Sequence, residues 1–166
     1  LKPNLYIAIH PGTKRWLNTY YSDLTVTYIP AGVDLNKFMP RGKKAKINLP
    51  RPVFLTVSAL VPEKRVDLTI QAIGKLNRGS LLIVGDGPLK TELMEMAQKY
   101  LGSGRFLFQN TGYDYLDEYY RVADVFTHSA PGERGWSMVH LEAMATNLPV
   151  VGNQDRDIIK LLQRYK

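Results

Sequence analysis

The chain has 166 residues, 45% of them hydrophobic, which matches one folded domain with its own core and excludes a disordered chain. It has no cysteine and only three scattered histidines, so disulfides and thiolate metal sites are excluded and no metal is expected. Twenty-two Lys and Arg against 15 Asp and Glu give a net charge of +7, which suits a polyanionic partner and equally describes a solvated basic face.

Taken in chain order, short β-rich runs alternate with amphipathic stretches. Strands are predicted at Leu5–Ile9, Thr25–Ile29, Val53–Val57, Leu81–Val84, Arg105–Phe108, Asp124–His128 and Pro149–Val151. Helices are predicted at Gly12–Tyr20, Arg65–Leu76, Lys90–Tyr100, Asp114–Val122, Trp136–Ala145 and Asp157–Arg164. In the second helix Leu68, Ala72, Ile73 and Leu76 form the predicted buried stripe. Alternating strands and helices of this length predict an α/β fold, a Rossmann-like parallel sheet with helices on both faces. From Phe38 to Pro52 the sequence turns polar and basic, with three prolines and no periodicity, and reads as a linker or exposed loop. The chain therefore divides into a leading piece, residues 1–30, and a sheet domain, residues 31–166. The Lys43-Lys44-Ala45-Lys46 run has no interleaved aromatics for base stacking, so it reads as a solvated loop and no nucleic-acid partner is expected. No apolar run reaches the ~18–20 residues of a membrane-spanning helix, and Leu1-Lys2-Pro3-Asn4 does not open a signal peptide, so a cytoplasmic protein is expected.

Ligands of open parallel sheets bind outside the carboxyl ends of the strands, which makes three turns informative. Gly85-Asp86-Gly87-Pro88 permits a sharp bend and close approach of backbone to a ligand, or is only a tight turn. Ala59-Leu60-Val61-Pro62-Glu63-Lys64 sets a lysine just before a helix, where it can reach a phosphate or stay in solvent. Ser129-Ala130-Pro131-Gly132-Glu133-Arg134-Gly135-Trp136 runs directly into a helix start, an anion site by geometry and dipole. On that helix Glu142 stands among Leu141, Ala143, Met144 and Ala145, and a carboxylate in such company requires a partner, either ligand hydroxyls or an internal Lys or Arg.

In order along the chain, these segments resemble the donor-binding domain of GT-B glycosyltransferases, in particular the large family 4 of retaining enzymes. Ile29-Pro30-Ala31-Gly32-Val33-Asp34 with Phe38 is similar to that family's IPNGVD…F junction, and Val61 to Leu68 to its VPEKGVDLL. Leu82 to Pro88 matches LxIVGDGP, Ala123-Asp124-Val125 with Ser129 resembles ADVxxxPS, and Leu141 to Val151 matches LEAMAxGxPVV. The resemblance implies a nucleotide diphosphate sugar as donor, retaining hexosyl transfer, and catalysis in a cleft facing a separate acceptor domain. By that likeness Glu142 binds the ribose hydroxyls and Lys64 the diphosphate, while Gly85 and Gly87 border the donor and the Asn110-Thr111-Gly112 turn lies beside the base. Gly135, Trp136, Ser137 and Met138 would present backbone N–H groups to the phosphate and sugar, with Arg134 beside them. Glu133 and Lys64 are the implied catalytic residues, and no cofactor is expected beyond the donor substrate.

Three departures from the family pattern qualify the expectation. Ala59 replaces the phosphate-binding arginine five residues before the lysine, leaving Arg65 or Arg134 as substitutes. The first of two glutamates separated by seven residues is displaced: counting back eight from Glu142 gives Arg134, and a one-residue bulge is needed to return Glu133 to the cleft. Third, Leu5 to Trp16 resembles the last strand and helix of an acceptor domain, with His10 where the family often has serine. The acceptor, a glycan or lipid-linked sugar, would thus be held by a domain of a longer parent, with peripheral contact at the inner membrane face a further expectation. The chain alone is then expected to bind without transferring. Asp155-Arg156-Asp157 imitates the DxD motif of a metal-dependent class with another fold and reads as helix capping. The alternatives are a non-catalytic sugar-nucleotide-binding subunit, favoured by Ala59 and the displaced glutamate, and a sugar-nucleotide epimerase, for which the chain offers no convincing acid/base pair.

Overall fold

The computed structural model describes residues 5–131 and 137–152. The chain forms two compact units, one built on residues up to Gly32 and one on Val33–Pro131 and the residues from Val139. In the first, β1 (Tyr6–Ala8) and β2 (Val26–Tyr28) pair in parallel through α1 (Pro11–Tyr20). Pro11 suits the first helical position, where no N–H is needed, and His10 caps the helix by accepting the Gly12 N–H at Nδ1, 3.1 Å away. That is the capping work a serine does at the same place. Leu5, Ile7 and Ile9 alternate onto the same side of the strand and are all more than half exposed.

The second unit carries a five-stranded sheet of β3 (Val53–Val57), β4 (Ser80–Val84), β5 (Phe106–Gln109), β6 (Val125–His128) and β7 (Val150–Gly152). All neighbouring pairs are parallel, in the order β5-β4-β3-β6-β7. The helices are α2 (Val66–Gly74), α3 (Lys90–Leu101), α4 (Leu116–Val122) and α5 (Met138–Ala145). Strand alternation divides the core into two layers. Val53, Leu55, Val57, Leu82, Val84 and Phe126 pack with residues of α4 and α5 on one face. Leu81 and Ile83 pack with Val66, Ile70 and Ile73 of α2 and Leu93, Ala97 and Leu101 of α3 on the other. Every residue of β4 is buried, which is why it reads as a continuous apolar run. The chain proceeds outward from β3 through β4 to β5, then returns to place β6 on the other side of β3. The strand order reverses there, and the crevice between the carboxyl ends of β3 and β6 is the switch point at which open α/β sheets bind ligands.

The fold class expected from the sequence is the one observed, but three local readings are corrected. The buried stripe of α2 is Val66, Thr69, Ile70 and Ile73, while Leu68 and Leu76 are 38% and 41% exposed. Leu68, Ala72 and Leu76 instead line an open groove of about 400 Å³ with residues of β6 and β7. Both stripes have helical spacing, and periodicity alone selected a mixture of the two. Arg65 does not begin α2 but caps it with φ 49 and ψ 41, the left-handed conformation in which the family motif carries glycine. The segment before β3 is not a loose linker. Ala45, Ile47 and Leu49 alternate inward against the core, the Ala45 N–H donates to Glu118 O at 3.1 Å, and Lys43 pairs with Glu118 at 3.1 Å. Prolines and lysines masked this period-two pattern in the sequence.

Candidate functional site

Parallel strands deliver the informative turns to one edge of the sheet. The 3-10 turn Pro62–Lys64 follows β3, and the left-handed Arg65 closes it. Ser129, immediately after β6, donates its hydroxyl to Arg65 O at 2.5 Å, with Lys64 O at 3.3 Å, and accepts from Thr69 Oγ1 at 3.0 Å. The lysine turn and the β6 loop are therefore fastened together across the switch point, with half-buried Lys64 at the junction. Arg65, offered by the sequence as a stand-in for the missing arginine, is committed elsewhere: Nε and a terminal nitrogen each lie 3.0 Å from the Asp67 carboxylate. Those hydrogen bonds hold the Asp67 carboxyl below its usual range. Ala59 is exposed and contributes no charge.

The glycines differ in kind. A Cβ on Gly85 would lie 1.9 Å from Ser58 O, and one on Gly87 2.5 Å from Leu60 O, both with positive φ. The protein backbone itself requires these two glycines, because the turn passes against the strand-to-helix connection of β3, where Leu60 N–H donates to Asp86 O at 2.9 Å. Gly112 has an ordinary φ of −68, and nothing lies within 4 Å of an added Cβ. Neither conformation nor packing among the described residues demands glycine there. Asn110 joins the two turns by donating from Nδ2 to Asp86 Oδ2 at 2.9 Å.

Glu142 occupies the buried side of α5 at 3% exposure. The internal Lys or Arg the sequence offered is not its partner: the Tyr120 hydroxyl donates to Oε2 at 2.8 Å, and among the described residues no cation pairs with it. Burial raises the Glu142 carboxyl above its usual range, opposed by the Tyr120 hydrogen bond and by the charge of Lys37. Burial likewise pushes the Tyr120 phenol far up, so it stays a donor at every working pH. Tyr113, 55% exposed, feels the negative charge of Glu142 and packs edge-on to Phe38 with ring centres 5.8 Å apart. Met138 opens α5 and is 41% exposed, with Ser137 just before it. Glu133, Arg134, Gly135 and Trp136 lie outside the described residues, as does the predicted helix Asp157–Arg164.

Sequence reasoning missed two arrangements. His128 and His140, taken as scattered, are buried with ring centres 4.7 Å apart beside Phe126, although the described residues hold no group of three potential metal ligands. Asp124 of the ADV segment is structural: Oδ2 accepts the Val53 N–H at 2.7 Å, and the other oxygen pairs with Arg51, which registers β6 against β3. Only the position of an aspartate just ahead of a strand hinted at this.

The profile of the glycosyl transferases group 1 family matches residues 41–163. The GDP-mannose-dependent alpha-(1-6)-phosphatidylinositol monomannoside mannosyltransferase of Mycolicibacterium smegmatis is 32% identical over 158 residues, covering 84% of this chain and 41% of that protein. Sulfoquinovosyl transferase SQD2 of Arabidopsis thaliana is 28% identical over 127 residues, 72% of this chain and 24% of its own. Among solved structures, sucrose-phosphate synthase from Thermosynechococcus elongatus superposes with a TM-score of 0.77 at 25% identity, over 91% of this chain and 41% of that one. Anabaena Alr3699/HepE in complex with UDP superposes with 0.75 at 20% identity, over 95% and 47%. The chain thus spans about two fifths of the mannosyltransferase it matches. No helix among the described residues is long and apolar enough to cross a membrane. With the matched segment covering the five-stranded sheet and its helices, the fold is that of a GT-B Rossmann-like domain, and the chain belongs to the glycosyl transferases group 1 family.

Proposed function

We propose that this chain is the donor-binding part of a retaining hexosyltransferase that uses a nucleotide diphosphate sugar. The observation that carries the proposal is the switch-point junction, where Ser129 fastens the Lys64 turn to the loop that leads into α5. A departing nucleoside diphosphate gains negative charge, which a lysine and the N–H groups at a helix start stabilise without a metal. In this reading Lys64 meets the diphosphate and Ser137 and Met138 offer N–H groups to the phosphate and sugar. Glu142 meets the ribose, and Asn110 and open Gly112 border the base. Gly85 and Gly87 border the donor, on a turn whose packing against Ser58 and Leu60 also requires glycine. Glu133 remains the proposed residue facing the donor sugar. The acceptor, a glycan or lipid-linked sugar, is held by further parts of a longer protein working at the cytoplasmic membrane face, in keeping with relatives named for lipid acceptors.

A second reading, a non-catalytic sugar-nucleotide-binding subunit, is favoured by one observation. Ala59 stands where the family has arginine, and Arg65 is tied to Asp67, so the phosphate site has lost a cation that its neighbour does not replace. Calorimetric titration with UDP and GDP, and with uridine and guanosine, tests what both readings share. Each diphosphate should bind more tightly than its nucleoside, and equal affinities would remove the phosphate subsite. Transfer by the longer parent then separates an enzyme from a sensor.

A further inference from the structure

The positive charge of the chain is not spread evenly. Residues 35–62 hold six Lys and Arg and no Asp or Glu, so this stretch carries six of the seven net positive charges. Four of the six, Arg41, Lys43, Lys44 and Lys46, stand on the strap that runs past α4 toward β3, and all four are exposed. The strap is fixed in place. Ala45, Ile47 and Leu49 pack against the core, the Ala45 N–H donates to Glu118 O at 3.1 Å, and Arg121 Nε donates to Lys43 O at 2.7 Å. The residues between the inward ones face solvent, which sets Lys44 and Lys46 side by side about 7 Å apart. That is within the screening length of about 8 Å at physiological salt, so the two act together.

The neighbouring carboxylates are already paired: Glu118 with Lys43, Asp117 with the buried Arg121 side chain, and Asp124 with Arg51. Arg41, Lys44 and Lys46 have no such partner among the described residues, and Lys43 keeps 73% of its side chain exposed despite its pairing. A face that only needs solubility mixes both signs, whereas like charges held this close repel unless a polyanion lies against them. No aromatic residue stands between Phe38 and Phe54, so the strap offers a nucleic-acid base nothing to stack on. A layer of anionic head groups requires only clustered charge.

We propose that residues 41–46 are a docking surface for an anionic lipid bilayer, which Arg41, Lys43, Lys44 and Lys46 meet together. The inference deepens the proposed function and rests on its reading of the acceptor as a lipid-linked sugar.

The test is co-sedimentation of the 166-residue chain with phosphatidylcholine vesicles, pure or containing about a third of anionic phosphatidylglycerol. The chain should bind the anionic vesicles only, and binding should fade as salt rises from about 0.1 to about 0.5 M. Each cation at such a surface contributes about fivefold, so Arg41→Gln/Lys44→Gln/Lys46→Gln should bind about a hundredfold more weakly. The triple variant Lys75→Gln/Arg78→Gln/Lys99→Gln loses the same charge from exposed positions on the α2 and α3 side of the sheet, and should stay within about threefold of wild type. Equal losses from the two triples would reduce the attraction to net charge and overturn the docking surface. Wild-type binding to pure phosphatidylcholine as tight as to anionic vesicles would overturn it without any variant. A single-stranded oligonucleotide bound as tightly as the vesicles, and equally sensitive to the strap, would overturn the choice of lipid. Calorimetry with UDP and GDP on the same proteins reads the donor site separately, and unchanged affinity in the strap triple shows that it is folded. Wild type that sediments with no vesicle yet binds nucleotide overturns the docking surface alone, whereas wild type that binds no nucleotide overturns the function on which the inference rests.

Discussion

Replacing Glu142 by Gln separates the two ways a buried carboxylate can matter. Had Glu142 neutralised an internal Lys or Arg, its loss would strand a buried charge and cost about 3–5 kcal/mol of stability. Its partner is instead a neutral phenol at 2.8 Å, and the glutamine carbonyl oxygen can accept the same proton. The variant exchanges a charge-assisted hydrogen bond, about 1.5–3 kcal/mol, for a neutral one of about 0.5–1.5 kcal/mol, and recovers the desolvation of a buried charge. These changes oppose each other, so stability at pH 7 should move by no more than about 1 kcal/mol, or about 2–4 °C in melting temperature for a chain this size. The carboxyl pKa is raised in the folded state, so its protonated form stabilises the fold. That contribution is full below the unfolded value near 4.5 and is lost as pH rises through the higher folded value. Wild type should therefore gain on Glu142→Gln as pH falls from 7 toward 5. Urea unfolding at pH 5, 6 and 7 measures this, and calorimetry should show nucleotide affinity reduced by about ten- to a hundredfold. A loss above about 3 kcal/mol at pH 7, or a stability difference that ignores pH, would refute the reasoning.

Gly85→Ala and Gly112→Ala should part company. The first drives a Cβ to 1.9 Å from Ser58 O at positive φ and should destabilise by more than about 3 kcal/mol in thermal melts, whereas the second should leave the melt unchanged and weaken nucleotide binding. Lys64→Ala should reduce diphosphate affinity by about 1.5–3 kcal/mol while sparing the nucleoside, and equal losses in calorimetry would make the lysine structural. Asp124→Ala removes the acceptor of the Val53 N–H and the partner of Arg51, and should cost about 2–3 kcal/mol in urea with no specific effect on binding.

The strand-and-helix order and the two-faced sheet were legible because burial on both faces leaves apolar runs that short helices interrupt. Element ends moved by a residue or two, as at Arg65, where nothing in an arginine announces a left-handed cap. The strap at Ala45, Ile47 and Leu49 escaped notice because alternation of small and branched residues among lysines is a weak signal. Within the site, the special standing of Glu142 was readable from its apolar neighbours. Tyr120 was not, since the two are 22 residues apart and only α4 packing against α5 brings them together. The different duties of Gly85 and Gly112 were equally hidden, because a glycine forced by a neighbouring carbonyl and a glycine left open look alike in a sequence.

The central claim is that this sheet binds a sugar attached to a nucleoside diphosphate, and a thermal melt of the chain with UDP- and GDP-sugars tests it most directly. A ligand that binds only the folded state adds about 2.7 kcal/mol at a hundred times its dissociation constant, which here amounts to about 5–10 °C. The account predicts a shift of that size with at least one of these nucleotide sugars and none with NAD. A shift with NAD, or none with any UDP- or GDP-sugar at millimolar concentration, would contradict it.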